Sequence, residues 1–132
     1  MEKRLFPRVK RQFTAVVENG EGAHIKVVAT DTSSVGVCIQ CNISERNLIT
    51  PGGCFVRDDG KPVELFVWLE LPLGIGSAEK IGARCHVAFS RRISSDQCQI
   101  GMRYMDLDQG GYESLVAFME SANATNDKCL TP

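Results

Sequence analysis

Ala23-His24-Ile25-Lys26-Val27-Val28-Ala29-Thr30-Asp31-Thr32-Ser33-Ser34-Val35-Gly36-Val37-Cys38-Ile39-Gln40 sets a polar turn between two apolar strands. Ala23 to Thr30 is rich in β-branched residues, with His24 and Lys26 marking a partly polar face. Val37 to Gln40 resumes the apolar/polar alternation of a half-buried strand. Between them, Asp31 and Ser33 carry oxygens that hydrogen-bond nearby backbone or a ligand, and Gly36 permits φ > 0 or a close backbone approach. Standing alone, an Asp-x-Ser-x-x-Gly stretch is more often a plain hairpin turn than a binding site.

Upstream of it, Gln12 to Glu18 carries Phe13, Ala15 and Val17 at period two, and Asn19-Gly20-Glu21-Gly22 is a hairpin signal. Downstream, a third strand covers about Gly36 to Asn42. Residues 43–62 form the least regular part, with Cys54-Phe55-Val56 as its one short strand. Val63 to Leu71 is the most apolar strand, with Leu65, Val67 and Leu69 on one face and Phe66 and Trp68 on the other. Ile81 to Ser90 and Gln97 to Tyr104 are two more strands, joined by a polar turn. From Asp108, read as an N-cap, the period changes to a helical one through Tyr112, Leu115, Val116 and Met119. The helix should fade near Ala122. These elements make an all-β domain, a small six-stranded antiparallel β-barrel with a C-terminal α-helix. Residues 1–11 form a basic arm, 12–121 the barrel with its helix, and 122–132 a frayed tail.

The arm is Met1-Glu2-Lys3-Arg4-Leu5-Phe6-Pro7-Arg8-Val9-Lys10-Arg11. The chain balances 15 Lys+Arg against 16 Asp+Glu, so these five cations are a local patch. Pro7 denies the stretch a regular helix. Two guanidinium forks on an extended arm suit a ligand with more than one phosphate, because Arg binds such oxygens bidentately. A solvated basic tail is the usual meaning of a terminal charge run, but Phe6, Pro7 and Val9 give this one apolar groups with which to dock.

Arg4-x-x-x-Arg8, followed by Asp31-x-Ser33-x-x-Gly36, resembles the two signature motifs of the PilZ domain family. Leu65-Phe66-Val67-Trp68-Leu69-Glu70-Leu71-Pro72 is similar to that family's central strand, and Ile100 to Leu107 to its last strand. The resemblance implies a cytoplasmic bacterial receptor or adaptor that binds cyclic di-GMP, a second messenger, through Arg4, Arg8, Asp31, Ser33 and Gly36. Lys3 is an additional candidate, at a position that affects whether one or two ligand molecules bind. The resemblance also implies that ligand orders the arm and that an unidentified downstream protein reads the change. It implies no cofactor beyond the ligand and no enzymatic activity.

The residues agree on a binding module. His24 and His86 sit on strands without a catalytic context, and there is no phosphate-binding glycine fingerprint. No apolar run approaches the roughly 20 residues that span a bilayer. The basic N-terminus has no apolar stretch behind it, so the expected compartment is the cytoplasm. Of six cysteines, Cys38 and Cys41 form a Cys-x-x-Cys pair, but no second pair completes a zinc site. Strand spacing places them on opposite faces, so no metal is expected. Two alternatives stand: a PilZ-like protein-interaction module without nucleotide, and a barrel binding single-stranded nucleic acid. The second wants aromatics interleaved with a basic groove, whereas Trp68 and most other rings here occupy core-like positions.

Overall fold

A computed structural model describes residues 9–51, 54, 56–74 and 76–130. The strands are β1 (Phe13–Glu18), β2 (His24–Thr32), β3 (Gly36–Asn42), β4 (Glu64–Gly74), β5 (Ser77–Arg92) and β6 (Gln97–Leu107). Helix α1 (Ile43–Ile49) follows β3, and α2 (Gly111–Leu130) follows β6. Neighbouring strands pair antiparallel in a closed barrel of order β1-β2-β3-β6-β5-β4, with β4 returning to β1. Closure of these six strands leaves none of them, among the described residues, with an open sheet edge.

Alternation fills the barrel. Ala15 and Val17 of β1, Val27 and Ala29 of β2, Val37 and Ile39 of β3, and Leu65, Val67 and Leu69 of β4 all face inward and are buried. Cys85 and Val87 of β5 and Ile100 and Met102 of β6 complete the lining. Phe66 and Trp68 face outward as the alternation requires, with ring centroids 4.6 Å apart. At one end of the barrel α2 lays Leu115 and Phe118 over the core, and the Phe118 ring meets Phe13 edge-on at 5.2 Å. At the other end α1 inserts Ile49, and the Asn19 side-chain amide donates to the Leu48 carbonyl at 2.9 Å.

Several boundaries differ from the sequence reading. The segment read as irregular contains α1, started by a capping box. The Asn42 side chain accepts from the Glu45 amide and the Glu45 carboxylate accepts from the Asn42 amide, each at 2.8 Å. Asn-x-x-Glu before an apolar residue carries that signal, but seven mixed residues are too few for a visible period. Asp108 does not cap α2 with its side chain, because its carboxylate accepts from the Gly82 amide at 2.7 Å. The buried face of α2 runs through Leu115, Phe118 and Met119, leaving Tyr112 exposed. The helix continues to Leu130 instead of fading near Ala122.

Both histidines are spent on cross-strand pairs. His24 meets Glu18 and His86 meets Glu64, each at 3.1 Å between directly opposed residues. Among the described residues no group of three or more His, Cys, Asp or Glu could hold a metal ion. Nor is any described helix long and apolar enough to cross a membrane.

Cys41 faces the core and Cys38 the outside of β3, and Cys41 lies directly opposite Cys98. Burial pushes the Cys41 thiol up from 9.0 to about 12, helped by Cys98 and Glu45 and opposed by Arg46. Burial alone does the same for Cys85. A folded value above the unfolded one stabilises the protein fully below pH 9.0, and that contribution is lost as pH rises toward about 12. Melting temperature should therefore decline across that window, and more steeply in wild type than in Cys85→Ala. Equal slopes for the two proteins would show that Cys85 ionises as readily in the fold as in the unfolded chain.

Candidate functional site

The site is built by two breaks in the period-two rule. Ala29 pairs with Ile39, both inward, and the next pair is Asp31 with Cys38, so Thr30 is an extra residue in β2. Without that bulge Asp31 would share the inward face of Ala29; with it, Asp31 faces out and Thr32 faces in against Val37. The Thr30 hydroxyl donates to the Cys38 carbonyl at 3.3 Å beside the bulge. Likewise on β5, Val87 pairs with Met102 inside the barrel and the next pair is Phe89 with Gly101, Ala88 being extra. Phe89 therefore turns outward although Val87, two residues earlier, is buried.

The registers align these residues in one row on the outer surface. Asp31 stands opposite Cys38, Cys38 opposite Gly101, and Gly101 opposite Phe89. Asp31 and Phe89 thus face each other across a floor of two small residues. The floor and walls enclose a groove of about 470 Å³. Its charged lining is Lys10, Arg91 and Arg103 against one acid, Asp31. The Arg91 guanidinium lies 5.5 Å from the Phe89 ring centroid and donates twice to the Gln99 amide oxygen, at 2.9 and 2.6 Å. A flat apolar ring, a carboxylate and three cations together can take a planar heterocycle bearing negative charge.

The turn motif is shorter than its sequence reading. Asp31 and Thr32 belong to β2 and Gly36 begins β3, leaving Ser33-Ser34-Val35 as the connection. Ser33 is buried; its hydroxyl oxygen accepts from the Val35 amide at 3.2 Å and its own amide donates to the Gly36 carbonyl at 2.9 Å. Gly36 has no positive φ. It is required by the approach of β6, since a Cβ there would overlap the Met102 carbonyl oxygen. Gly101 accommodates the Phe89 ring, which occupies the space a Cβ would take.

Asp31 and Gly36 line the groove, and Ser33 shapes the turn beside it. Lys3, Arg4 and Arg8 lie outside the described residues. The first described residue, Val9, is buried and exchanges both backbone hydrogen bonds with Thr32, at 2.8 and 3.1 Å. Arg11 turns to α2, its guanidinium 5.6 Å from the Phe118 ring centroid. Phe89, Arg91, Gln99 and Arg103 were invisible to sequence reasoning as site residues, because the register that brings β5 and β6 beside β3 is non-local. Trp68 belongs neither to the groove nor to the buried core; it packs on the outer face of β4 against Phe66 and His24.

No protein-family profile matches the sequence, and no curated protein matches it. Solved structures do. The Bacillus subtilis inhibitor of motility MotI/DgrA superposes with a TM-score of 0.68 at 13% identity over 97% of this chain. The chain spans 53% of that protein's length. The PilZ domain with c-di-GMP of YcgR from Escherichia coli gives 0.59 at 9% identity, covering 99% of this chain and 100% of that one. The PilZ domain of CeSA from a cellulose-synthesizing bacterium gives 0.52 at 15% identity, over 89% of this chain and 98% of that one. The chain has the fold of a PilZ domain.

The two glycines that line the groove, Gly36 and Gly101, should respond differently to substitution. Gly36→Ala meets a backbone carbonyl that cannot step aside, and overpacking of this kind costs about 1–3 kcal/mol. Gly101→Ala first meets the Phe89 ring, a side chain that can swing toward solvent, so it should cost less stability while reshaping the groove. Urea unfolding of both variants checks the order; a Gly101→Ala loss as large as that of Gly36→Ala would contradict it.

Proposed function

We infer that this PilZ-fold chain is a cyclic di-GMP receptor that binds its ligand without turning it over. One observation carries the reading. The Asp31-x-Ser33-x-x-Gly36 motif borders a groove rich in cations, and the chain segment that follows Arg8 is hydrogen-bonded to Thr32 inside that motif. Arg8 directly precedes Val9 in the sequence, which supports a part for the arginine motif in binding at this groove. The YcgR PilZ domain, which shares the fold, is a structure with c-di-GMP, and this adds support.

Donor and acceptor matching gives each residue a part. Arg4 and Arg8 take phosphate oxygens and the guanine O6/N7 edge, both acceptors matched to a guanidinium fork. The Asp31 carboxylate accepts from guanine N–H donors. The Phe89 ring offers a face on which a base stacks, and Lys10 and Arg103 add positive potential at the rim. Gly36 acts by letting β6 come close, and Ser33 by holding the turn. Binding then orders the N-terminal arm over the groove, and a downstream protein reads that surface. MotI is, as its name says, an inhibitor of motility; the partner of the present chain is a separate question of surface chemistry.

Isothermal titration with cyclic di-GMP tests the reading directly. Heat of binding and a rise in melting temperature are expected, with the nucleotide recovered intact. Neither heat nor a shift at tens of micromolar protein would overturn it. Arg8→Ala removes charge-assisted hydrogen bonds worth about 1.5–3 kcal/mol each, so affinity should fall at least about tenfold. Ligand-free stability should change by no more than about 0.5 kcal/mol. Phe89→Ala should weaken binding by the stacking of a base on a ring, about 1–3 kcal/mol. Should Arg8→Ala unfold the barrel and leave affinity intact, the arm would be structural and the nucleotide site elsewhere.

A further inference from the structure

Thr32 stands between Asp31 and Ser33, yet it is fully buried. Its backbone amide and carbonyl hold Val9, and its hydroxyl oxygen lies 3.0 Å from the Ser33 carbonyl, 2.9 Å from the Gly36 carbonyl and 2.7 Å from the Tyr104 hydroxyl. A threonine hydroxyl has a single proton, and both carbonyls can only accept. That proton is therefore shared between the two carbonyls, and the Tyr104 hydroxyl donates to the Thr32 oxygen. Tyr104 is fixed in turn by its own amide, which donates to the Val35 carbonyl at 2.9 Å. One threonine thus ties together three separate pieces of chain: the segment beginning at Val9, the turn from Ser33 to Gly36, and strand β6.

We propose that the Thr32–Tyr104 hydroxyl pair is a positioning element of the ligand site, setting the N-terminal segment and the turn at a fixed distance from each other. Neither hydroxyl touches the ligand. The pair acts through the carbonyls of Ser33 and Gly36, which hold the turn, and through the bridge to Val9, which holds the start of the arm. Losing the tyrosine hydroxyl leaves one threonine lone pair empty. Losing the threonine hydroxyl leaves two buried carbonyls and a tyrosine hydroxyl without that partner, the larger disturbance. This assignment deepens the nucleotide reading, but half of its test does not depend on it.

The test compares wild type with Thr32→Val, Thr32→Ser, Tyr104→Phe and the Thr32→Val/Tyr104→Phe double variant. Amide hydrogen exchange at Val9, measured against the buried Ile39 amide, reads the tether without ligand. It should quicken about tenfold relative to Ile39 in Thr32→Val and less in Tyr104→Phe, with Thr32→Ser near wild type. Cyclic di-GMP affinity should fall in the same order, by up to about tenfold, with the double variant no worse than Thr32→Val alone. Unchanged exchange at Val9 in both Thr32→Val and Tyr104→Phe overturns the proposal. So does a rise at Val9 matched by an equal rise at Ile39, which would mean a general loss of stability. Variants that show the Val9 effect, together with a wild-type protein that gives no heat with cyclic di-GMP, support the tether and overturn the nucleotide reading alone.

Discussion

Strand side chains alternate between two faces, and a closed barrel leaves no freedom to choose which face is which. Everything at this protein's groove depends on where that rule is broken. One extra residue at Thr30 turns Asp31 outward while Ala29 and Thr32 stay inside. A second at Ala88 does the same for Phe89 between Val87 and Ser90, the latter paired with inward Ile100. The two breaks lie in one row, separated only by Cys38 on β3 and Gly101 on β6. Had either been absent, a carboxylate or a phenyl ring would have exchanged faces with a core residue. A buried unpaired carboxylate is costly enough to shift its protonation or unfold the site. The bulges are thus the means by which a packed core and a polar groove share the same strands.

The groove's glycines obey a packing constraint. Gly36 must be glycine because the β6 backbone comes too close for any Cβ, and Gly101 leaves room for the Phe89 ring to lie across it. The ring is kept in place by the Arg91 guanidinium, itself anchored on Gln99. Behind the floor, the Thr32 hydroxyl satisfies the buried carbonyls of the turn and accepts from the Tyr104 hydroxyl. A buried polar network of this kind is worth having only when every member is partnered. Here the alternative for those carbonyls is the apolar interior around Val37 and Met102.

Charge completes the site without dominating the molecule. The chain is nearly neutral, with a formal net charge of −1. At the groove the local balance is positive, Lys10, Arg91 and Arg103 outnumbering the single Asp31. Elsewhere on the outer face, Glu18 and Glu64 each meet a histidine across the strands, His24 and His86. Such exposed pairs contribute little to stability.

From local pattern alone, the strands, the hairpin at Asn19–Gly22 and the all-β class could be read, because period-two alternation and turn chemistry are properties of neighbouring residues. The Asp31-x-Ser33-x-x-Gly36 motif could be read too, as could the opposite facing of Val67 and Trp68 on β4, but not that Trp68 is the one left outside the core. Helix α1 was present in the Asn42–Glu45 capping box, but seven residues give no period to recognise. What only the tertiary structure decided is which strands lie side by side and where the alternation slips. Phe89 and Arg91 lie more than fifty positions from Asp31 in the sequence, and no local pattern says that β6 inserts between β3 and β5. Nor can alternation foresee a bulge: counted by twos from Val87, Phe89 belongs in the core. Its place in the groove follows from the register that barrel closure imposes, a constraint carried by all six strands at once.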